Sequence, residues 1–574
     1  MSFAAIRSIA TSALMASQVR MQVASTNIAN ADVAGYTKKT TVQIATASTG
    51  AGTGTVVTAV TSEVDKYLLA DVVSAASALG AADVTDAKAD ALQALFGSTT
   101  SSSGTGTSIA DTITSLQTAL TSLAGTAESG TLNSLAVSSL DAVASELREL
   151  SAGVQGLRAD ADSQIADAVD VANTALDTIA ALNEQIVAAK ALGQSTADLE
   201  DTRNNALETL GGVLDVSYIV KANGEMRVST TSGTALVDSA VHHLSYTPAA
   251  VVTDDTVFAG ITVSGKDVSS EIGSGAIGAL LEQRDDVLPG VQSALDALAG
   301  QLIDTLNAAY NTGSSLPPPT TLTGTTAVAG ADPLNATGTL RVATTDSDGN
   351  IVSHADLDLS GIATMDDLVT ALNGIDGISA SIASGTLVIT STDGNGIAIA
   401  DIDSSVDSAG FSDYFGLNDL LVGSDAGSIR VRSDILAGTT AFATATLDTS
   451  GTPDVGDAVL NHSGTFVQSL ETAMAADSSY AATGGIRASS TDLAGYAALI
   501  VSDAASKASS AATALETKQS TYDTASDALT SSTGVNVDEE SARLSELEQY
   551  YSAAAQLLDT LNAMFDALLS AARS

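Results

Sequence analysis

A mainly α fold with β insertions (α+β) is predicted by three observations on this chain. The C-terminus carries an unbroken heptad seam, Ala- and Leu-rich heptad stripes recur through the middle, and a triple proline precedes a run of short alternating strands. Together they describe terminal coiled-coil helices, an elongated helical bundle with β-hairpins, and an inserted small α+β outer domain.

At the N-terminus Phe3, Ile6, Leu14, Met21 and Ile28 recur at near-helical intervals, with Ala10, Ser17 and Ala24 between them. Leu14, Met21 and Ile28 stand seven apart, the spacing of a seam facing another helix. Asn30, Asp32 and Gly35 supply the chemistry that ends a helix and turns the chain. Residues 46–62 and 97–108 are rich in Thr, Ser and Gly and read as connectors or exposed loops. Val64 opens a long helix, Ile113, Leu116, Leu120 and Leu123 mark another, and Leu140, Val143 and Leu147 continue the theme. Ile165, Val169, Ala172, Leu176, Ile179 and Ile186 keep a heptad-like stripe, as do Leu288 to Leu306 and Ile500 to Leu529.

Between these helices lie β-type runs at 213–220, 226–230 and 257–263, punctuated by Asn223-Gly224 and Ser232-Gly233. Pro317-Pro318-Pro319 is a stiff boundary. After it, strands are expected at 339–342, 357–359, 379–382 and 387–390, a helix at 365–372, and turns at Asp348-Gly349 and Asp393-Gly394. From Leu544 the apolar residues run Leu544, Leu547, Tyr551, Ala554, Leu558, Leu561, Phe565 and Leu568, in steps alternating between three and four. The predicted division is a terminal coiled-coil assembly domain (1–62 plus 531–574), a helical-bundle body with hairpins (63–316 plus 426–530), and the outer domain (320–425).

Charge suggests that the two ends pair. Residues 1–60 hold four basic residues against Asp32 alone, whereas residues 535–574 hold seven acidic residues against Arg543 and Arg573. The whole chain of 574 residues has a net charge of −45, which argues against nucleic-acid binding because no basic stripe offsets that field. It contains no Cys, so disulfides, thiolate metal sites and Cys nucleophiles are excluded. Aromatics make up only 3%, which favours closely packed helices over an aromatic ligand pocket. No apolar run long enough to span a membrane is expected, and no membrane insertion.

Other candidate sites carry bland readings. Gly273 to Gly278 fits G-x-G-x-x-G but is followed by helix to about residue 311 rather than by a βαβ unit, so it reads as a turn feeding a helix. Asp346-Ser347-Asp348-Gly349-Asn350 lacks the EF-hand order and reads as a hairpin turn. His242, His243, His354 and His462 show no ligand spacing, and no G-x-S-x-G elbow with His and Asp partners emerges. Glu282 to Asp286 reads as an ion-pair cluster around Arg284. The expectation is no catalytic residue, no cofactor and no metal.

The segment after the first helix resembles the N-terminal signature of the bacterial flagellar axial (rod and hook) family, Ser-x-Asn-Ile-Ala-Asn-x-x-x-x-Gly-Tyr. Ser25, Asn27, Ile28, Ala29, Asn30, Gly35 and Tyr36 stand at its positions. Gly534-Val535-Asn536-Val537-Asp538-Glu539-Glu540 resembles the Gly-Val-Asn-Leu-Asp-Glu-Glu of the hook-associated branch, with Val537 departing from it. Residues 199–207 and 278–289 resemble that branch's repeated Leu-x-x-x-Arg-Asp element, in which Asn204 replaces the Asp and Arg284-Asp285 keeps the pair. The outer domain, with its Phe415-Gly416-Leu417 tail, resembles the variable outer domains of hook-associated and capping proteins.

What the resemblance implies is a structural adaptor at the hook–filament junction, extracellular, exported through a type III channel without a cleaved signal peptide. Its terminal helices would fold on incorporation. Its partners would be further copies of itself in a ring or helix, the hook protein, the third hook-associated protein on the filament side, and an export chaperone on the C-terminal helix. The assembly seam would comprise Leu14, Met21, Leu544, Leu547, Tyr551, Ala554, Leu558, Leu561, Phe565 and Leu568. A hook or distal-rod subunit, and a secreted adhesin or enzyme with its activity in 320–425, remain alternatives.

Overall fold

The computed structural model describes residues 3–48, 51–62, 64–97 and 108–573. Among the described residues there are thirteen α-helices: α1 Phe3–Ala29, α2 Lys66–Phe96, α3 Ile109–Gly125, α4 Gly130–Ala191, α5 Ala197–Val213, α6 Gly275–Glu282, α7 Leu288–Tyr310, α8 Met365–Leu372, α9 Phe411–Phe415, α10 Ser433–Leu436, α11 Gly464–Met474, α12 Leu493–Thr533 and α13 Val537–Arg573. Small antiparallel sheets interrupt them, so the chain is mainly helical with β insertions. The stripes at 140–147 and 165–186 belong to one helix, α4, which runs for 62 residues. No proline interrupts it, and Gly153 lets Leu95 approach so closely that a Cβ there would lie 2.5 Å from the leucine's Cδ1.

Two expectations about the first hundred residues need correction. Residues 46–62 were expected as a connector, yet they carry most of a hairpin: β1 Lys39–Ser48 pairs antiparallel with β2 Ala51–Ser62, apart from residues 49–50, which lie outside the described set. The run of β-branched residues between Thr55 and Val60 outweighs the Gly- and Ser-rich composition. Contrary to the expectation of no membrane-length apolar run, α2 is long and apolar enough to cross a membrane by length and composition. Its Leu69, Val72, Val73 and Leu92 are buried against protein. The expected loop at 98–107 lies outside the described residues.

The chain divides into two compact units. The first comprises residues 1–88, 159–284 and 509–574. Its core gathers Leu69 and Val73 of α2, Ile165 to Ile179 of α4, Leu207 and Leu210 of α5, and Ile277 and Leu280 of α6. On this core sits a three-stranded sheet in the order β3 Val216–Val220, β4 Met226–Thr230, β5 Ala235–Val237. Of the run expected at 257–263 only Thr262–Val263 pairs as strand, because Gly260 interrupts it and the Ile261 N–H goes to Ser269 Oγ at 2.8 Å. Arg284, expected among its neighbours' carboxylates, donates to Asp162 of α4 at 2.9 Å, deep in this unit.

The second unit comprises residues 89–158 and 285–508. Its main core packs α3, α4, α7, α11 and α12 through Ile113, Leu147, Leu298, Leu470 and Ile500. A separate core lies within 322–417, where Leu340, Leu368, Leu387 and Phe415 meet between two three-stranded sheets and α8. Thr364 caps α8 in a reciprocal box with Asp367, which is why that helix starts where expected. Asp346 accepts from the backbone N–H of Asp348 and Asn350 and closes a hairpin turn, as read from the sequence.

Candidate assembly site

The axial-family motif is a junction of four segments in the first unit. Helix α1 ends where Asn30 N–H reaches back to Thr26 O, and the chain then turns through Val33 and Tyr36. Gly35 is required there. Its φ is +72°, and a Cβ would stand 2.1 Å from Asn205 Oδ1. That turn swings Tyr36, Thr37 and Lys39 back beneath the end of α1.

Asn27 is completely buried and uses its whole amide. Nδ2 donates to Lys39 O at 2.9 Å and to Glu540 Oε2 at 3.2 Å. Oδ1 accepts from Lys39 N at 3.0 Å and from the Tyr36 hydroxyl at 2.9 Å. The motif's Asn and Tyr are therefore partners. Asn27 and Glu540, 513 residues apart, join the two terminal motifs directly.

Glu540 reaches this position because Asn536 starts α13. Its Oδ1 accepts from the N–H of Asp538 and of Glu539, an N-cap that leaves three carboxylates in the helix's first turn, where the dipole favours them. Glu540 is 1% exposed and is neutralised from two sides, by Lys38 Nζ at 3.4 Å and Arg543 Nη1 at 3.6 Å. Lys38 also pairs with Glu539 at 3.1 Å, and its N–H donates to Thr533 O at 2.6 Å. A second buried pair ties the same strand to α5: Lys39 Nζ contacts Asp201, Ala197 O at 3.2 Å and Thr37 Oγ1 at 3.2 Å. Asp201 also accepts from Thr37 N at 3.0 Å and Thr37 Oγ1 at 2.6 Å. Lys39 lies 4.8 Å from the centre of the Tyr36 ring. Burial, aided by the negative charge of Asp198, Asp201 and Glu540, pushes the Tyr36 hydroxyl up to about 12.

From this knot α1 and α13 run antiparallel, since Asn27 meets Glu540 at one end while Phe3 and Arg7 share a groove with Leu561 and Phe565 at the other. The residues α1 buries most deeply are Ala10, Ser17 and Ala24, spaced by seven, with Ala16 and Asn27. Leu14, Met21 and Ile28 are half-buried. On α13, Leu547, Ala554 and Leu561 are buried, Leu544 and Leu558 are half-buried, and Tyr551, Phe565 and Leu568 are exposed. The contact thus uses the middle of a broad apolar stripe and leaves its flanks open. Of the motif residues, Asn27 is buried, Ile28, Asn30 and Tyr36 are half-buried, and Ser25, Ala29 and Gly35 are exposed.

Sequence reasoning missed Thr37, Lys39, Asp201 and Glu540. The one available signal was the placement of Glu540 inside the Gly-Val-Asn motif. It also missed a contact elsewhere: His242 lies 3.3 Å from both Asp238 and Ser264. Ser264 stands on the exposed Ser-Gly turn joining two short strands, and the long bonds there suit a loop tether. Among the described residues no group of three His, Cys, Asp or Glu could hold a metal ion.

A family model described as the helical domain of flagellar hook-associated protein FlgK matches residues 95–323, and one described as flagella basal body rod protein matches residues 8–37. Flagellar hook-associated protein 1 of Escherichia coli strain K12 is 26% identical over 573 residues, covering 98% of each chain. Its counterpart in Salmonella typhimurium strain LT2 is 24% identical over 596 aligned positions, again covering 98% of each chain. The flagellar hook junction protein FlgK from Burkholderia pseudomallei superposes with a TM-score of 0.49 at 17% identity, covering 80% of this chain and 98% of that one.

Proposed function

Because this chain belongs to the flagellar hook-associated protein FlgK family, we propose that it is the structural adaptor that joins hook to filament, built into the axial structure through its paired terminal helices. The family is one of structural flagellar proteins rather than enzymes. The observation that carries the reading is the buried bond between Asn27 and Glu540, which makes folding of either end depend on the other.

In this reading the chain leaves the cell by type III export without a cleaved signal peptide, its ends unfolded. It then orders 1–62 and 531–574 as an assembly domain on incorporation. The seam residues, Leu14 and Met21 on α1 and Leu544 to Leu568 on α13, serve that step. Those left uncovered in the single chain, Tyr551, Phe565 and Leu568, meet neighbouring copies, the hook protein below or the third hook-associated protein above. Before secretion the same C-terminal helix docks an export chaperone. The remaining divisions of this reading are a helical-bundle body with hairpins, 63–316 plus 426–530, and an outer domain at 320–425.

Electron microscopy of a deletion strain tests this. Hooks lacking attached filaments are expected. Missing hooks would assign the chain to the hook or distal rod instead, and hooks still joined to filaments would refute the adaptor role.

A further inference from the structure

Two sheet edges in the first unit are open, and each lies beside exposed apolar side chains. The first is β3, the edge strand of its sheet. Because Lys221 N–H donates inward to Glu225 O, alternation along the strand aims the N–H groups of Val216, Tyr218 and Val220 outward. Along this edge runs the first half of α2, and between them lies a groove of about 810 Å³. Tyr67 of α2 and Ile219 and Val220 of β3 border it, 70%, 72% and 48% exposed. A groove between a helix and an unpaired strand edge is the geometry that accepts an extended segment as an added strand.

The second open edge is β1 beyond Lys39, whose own N–H and C=O are held by Asn27. The far side of its partner β2 is engaged, since Thr55 N–H donates to Ser12 Oγ on α1 at 3.1 Å and Val60 O accepts from Ser195 Oγ at 2.9 Å. β1 pairs with β2 alone, so its outer edge has no strand neighbour. Ile44 sits opposite Val56 in the register, and both, with Val42, are exposed on the hairpin.

We propose that β1 of one copy adds to β3 of the next, entering the groove beside α2. The reading rests on the adaptor function, in which copies assemble side by side. Charge selects the occupant. Most surfaces of two chains each carrying −45 repel, but residues 40–62 contain no charged side chain, and the groove lining holds one cation, Lys66, against one anion, Asp215. The contact is heterologous, joining different patches on the two copies, so it propagates into a ring or helix rather than stopping at a dimer. The resulting sheet runs β2–β1 from one copy and β3–β4–β5 from the next.

The cysteine-free chain allows a direct test. Full-length Ile44→Cys and Ile219→Cys proteins are mixed under mild oxidation, alone and in assembled junctions. A disulfide-linked dimer containing one of each is expected. Val220→Pro in the Ile219→Cys chain removes an outward N–H and should abolish the link. Val42→Lys in the Ile44→Cys chain sits on the exposed hairpin face, spares the fold, and should cut the yield about tenfold or more by burying an unpaired charge. Equal linkage of Ile44→Cys to a Val257→Cys control, or none with Ile219→Cys while junctions still form, overturns strand addition and leaves the adaptor reading intact. Hooks that keep their filaments in the deletion strain overturn the adaptor reading whatever the crosslinks show.

Discussion

Asn27 illustrates how one side chain can tie distant segments together when every polar atom is used. Replacing it with Ala strands the Lys39 N–H and one oxygen of Glu540 in a buried site. Asn27→Ala should cost about 3 kcal/mol locally, so amides of α1 and α13 would exchange about a hundredfold faster while α7 amides stay protected. Tyr36 gives the knot an alkaline limit. Its hydroxyl ionises only at about 12 in the folded chain and near 10 when unfolded. The unfolded form therefore loses its proton first, so the contribution of Tyr36 is complete below about 10 and is lost as pH rises towards 12. Tyr36→Phe should flatten that part of the pH dependence when the exchange of α1 is followed across it.

At the scale of elements, the pairing of α1 with α13 depends on small residues. Ala10, Ser17 and Ala24 let the helix lie close to its neighbours, and Ala24 is 1% exposed. Ala24→Leu adds volume with nowhere to go and should destabilise the pair by about 1–3 kcal/mol. Limited proteolysis would show it as earlier cleavage within α13. Met15→Ala, at a position 64% exposed, should leave the isolated chain unchanged by the same measure. The hairpin at 39–62 follows a related logic. Its composition resembles a loop, and strand structure emerges because α1 supplies one wall and Ser12 holds its edge.

For the whole molecule, the cores of the second unit involve no residue of α13. Deleting residues 544–574 should leave a soluble protein with the melting behaviour of that unit unchanged. It should fail to join the axial structure, as seen by the absence of filaments on cells that express it. A truncated chain that still supports filaments would contradict the role assigned to the terminal pair.

The heptad stripes, the turn at Gly35 and the helix at 365–372 were legible in the sequence because they depend on neighbours within a few residues. Helical periodicity and cap chemistry are local physics. The union of Lys39 with Asp201 and of Asn27 with Glu540 was not legible, because a buried polar pair leaves no periodic trace and each partner alone looks like a solvated surface residue. Nor did spacing reveal which part of the α13 stripe faces inward: all of its apolar residues satisfy the heptad, and only the packing of α1 selects Leu547, Ala554 and Leu561. The sequence by itself therefore determined the long helical stripes, the turn that ends α1 and the family motif. Tertiary structure alone decided that the motif is a buried knot joining both termini, because burial and long-range hydrogen bonding are properties of the packed chain and not of any window along it.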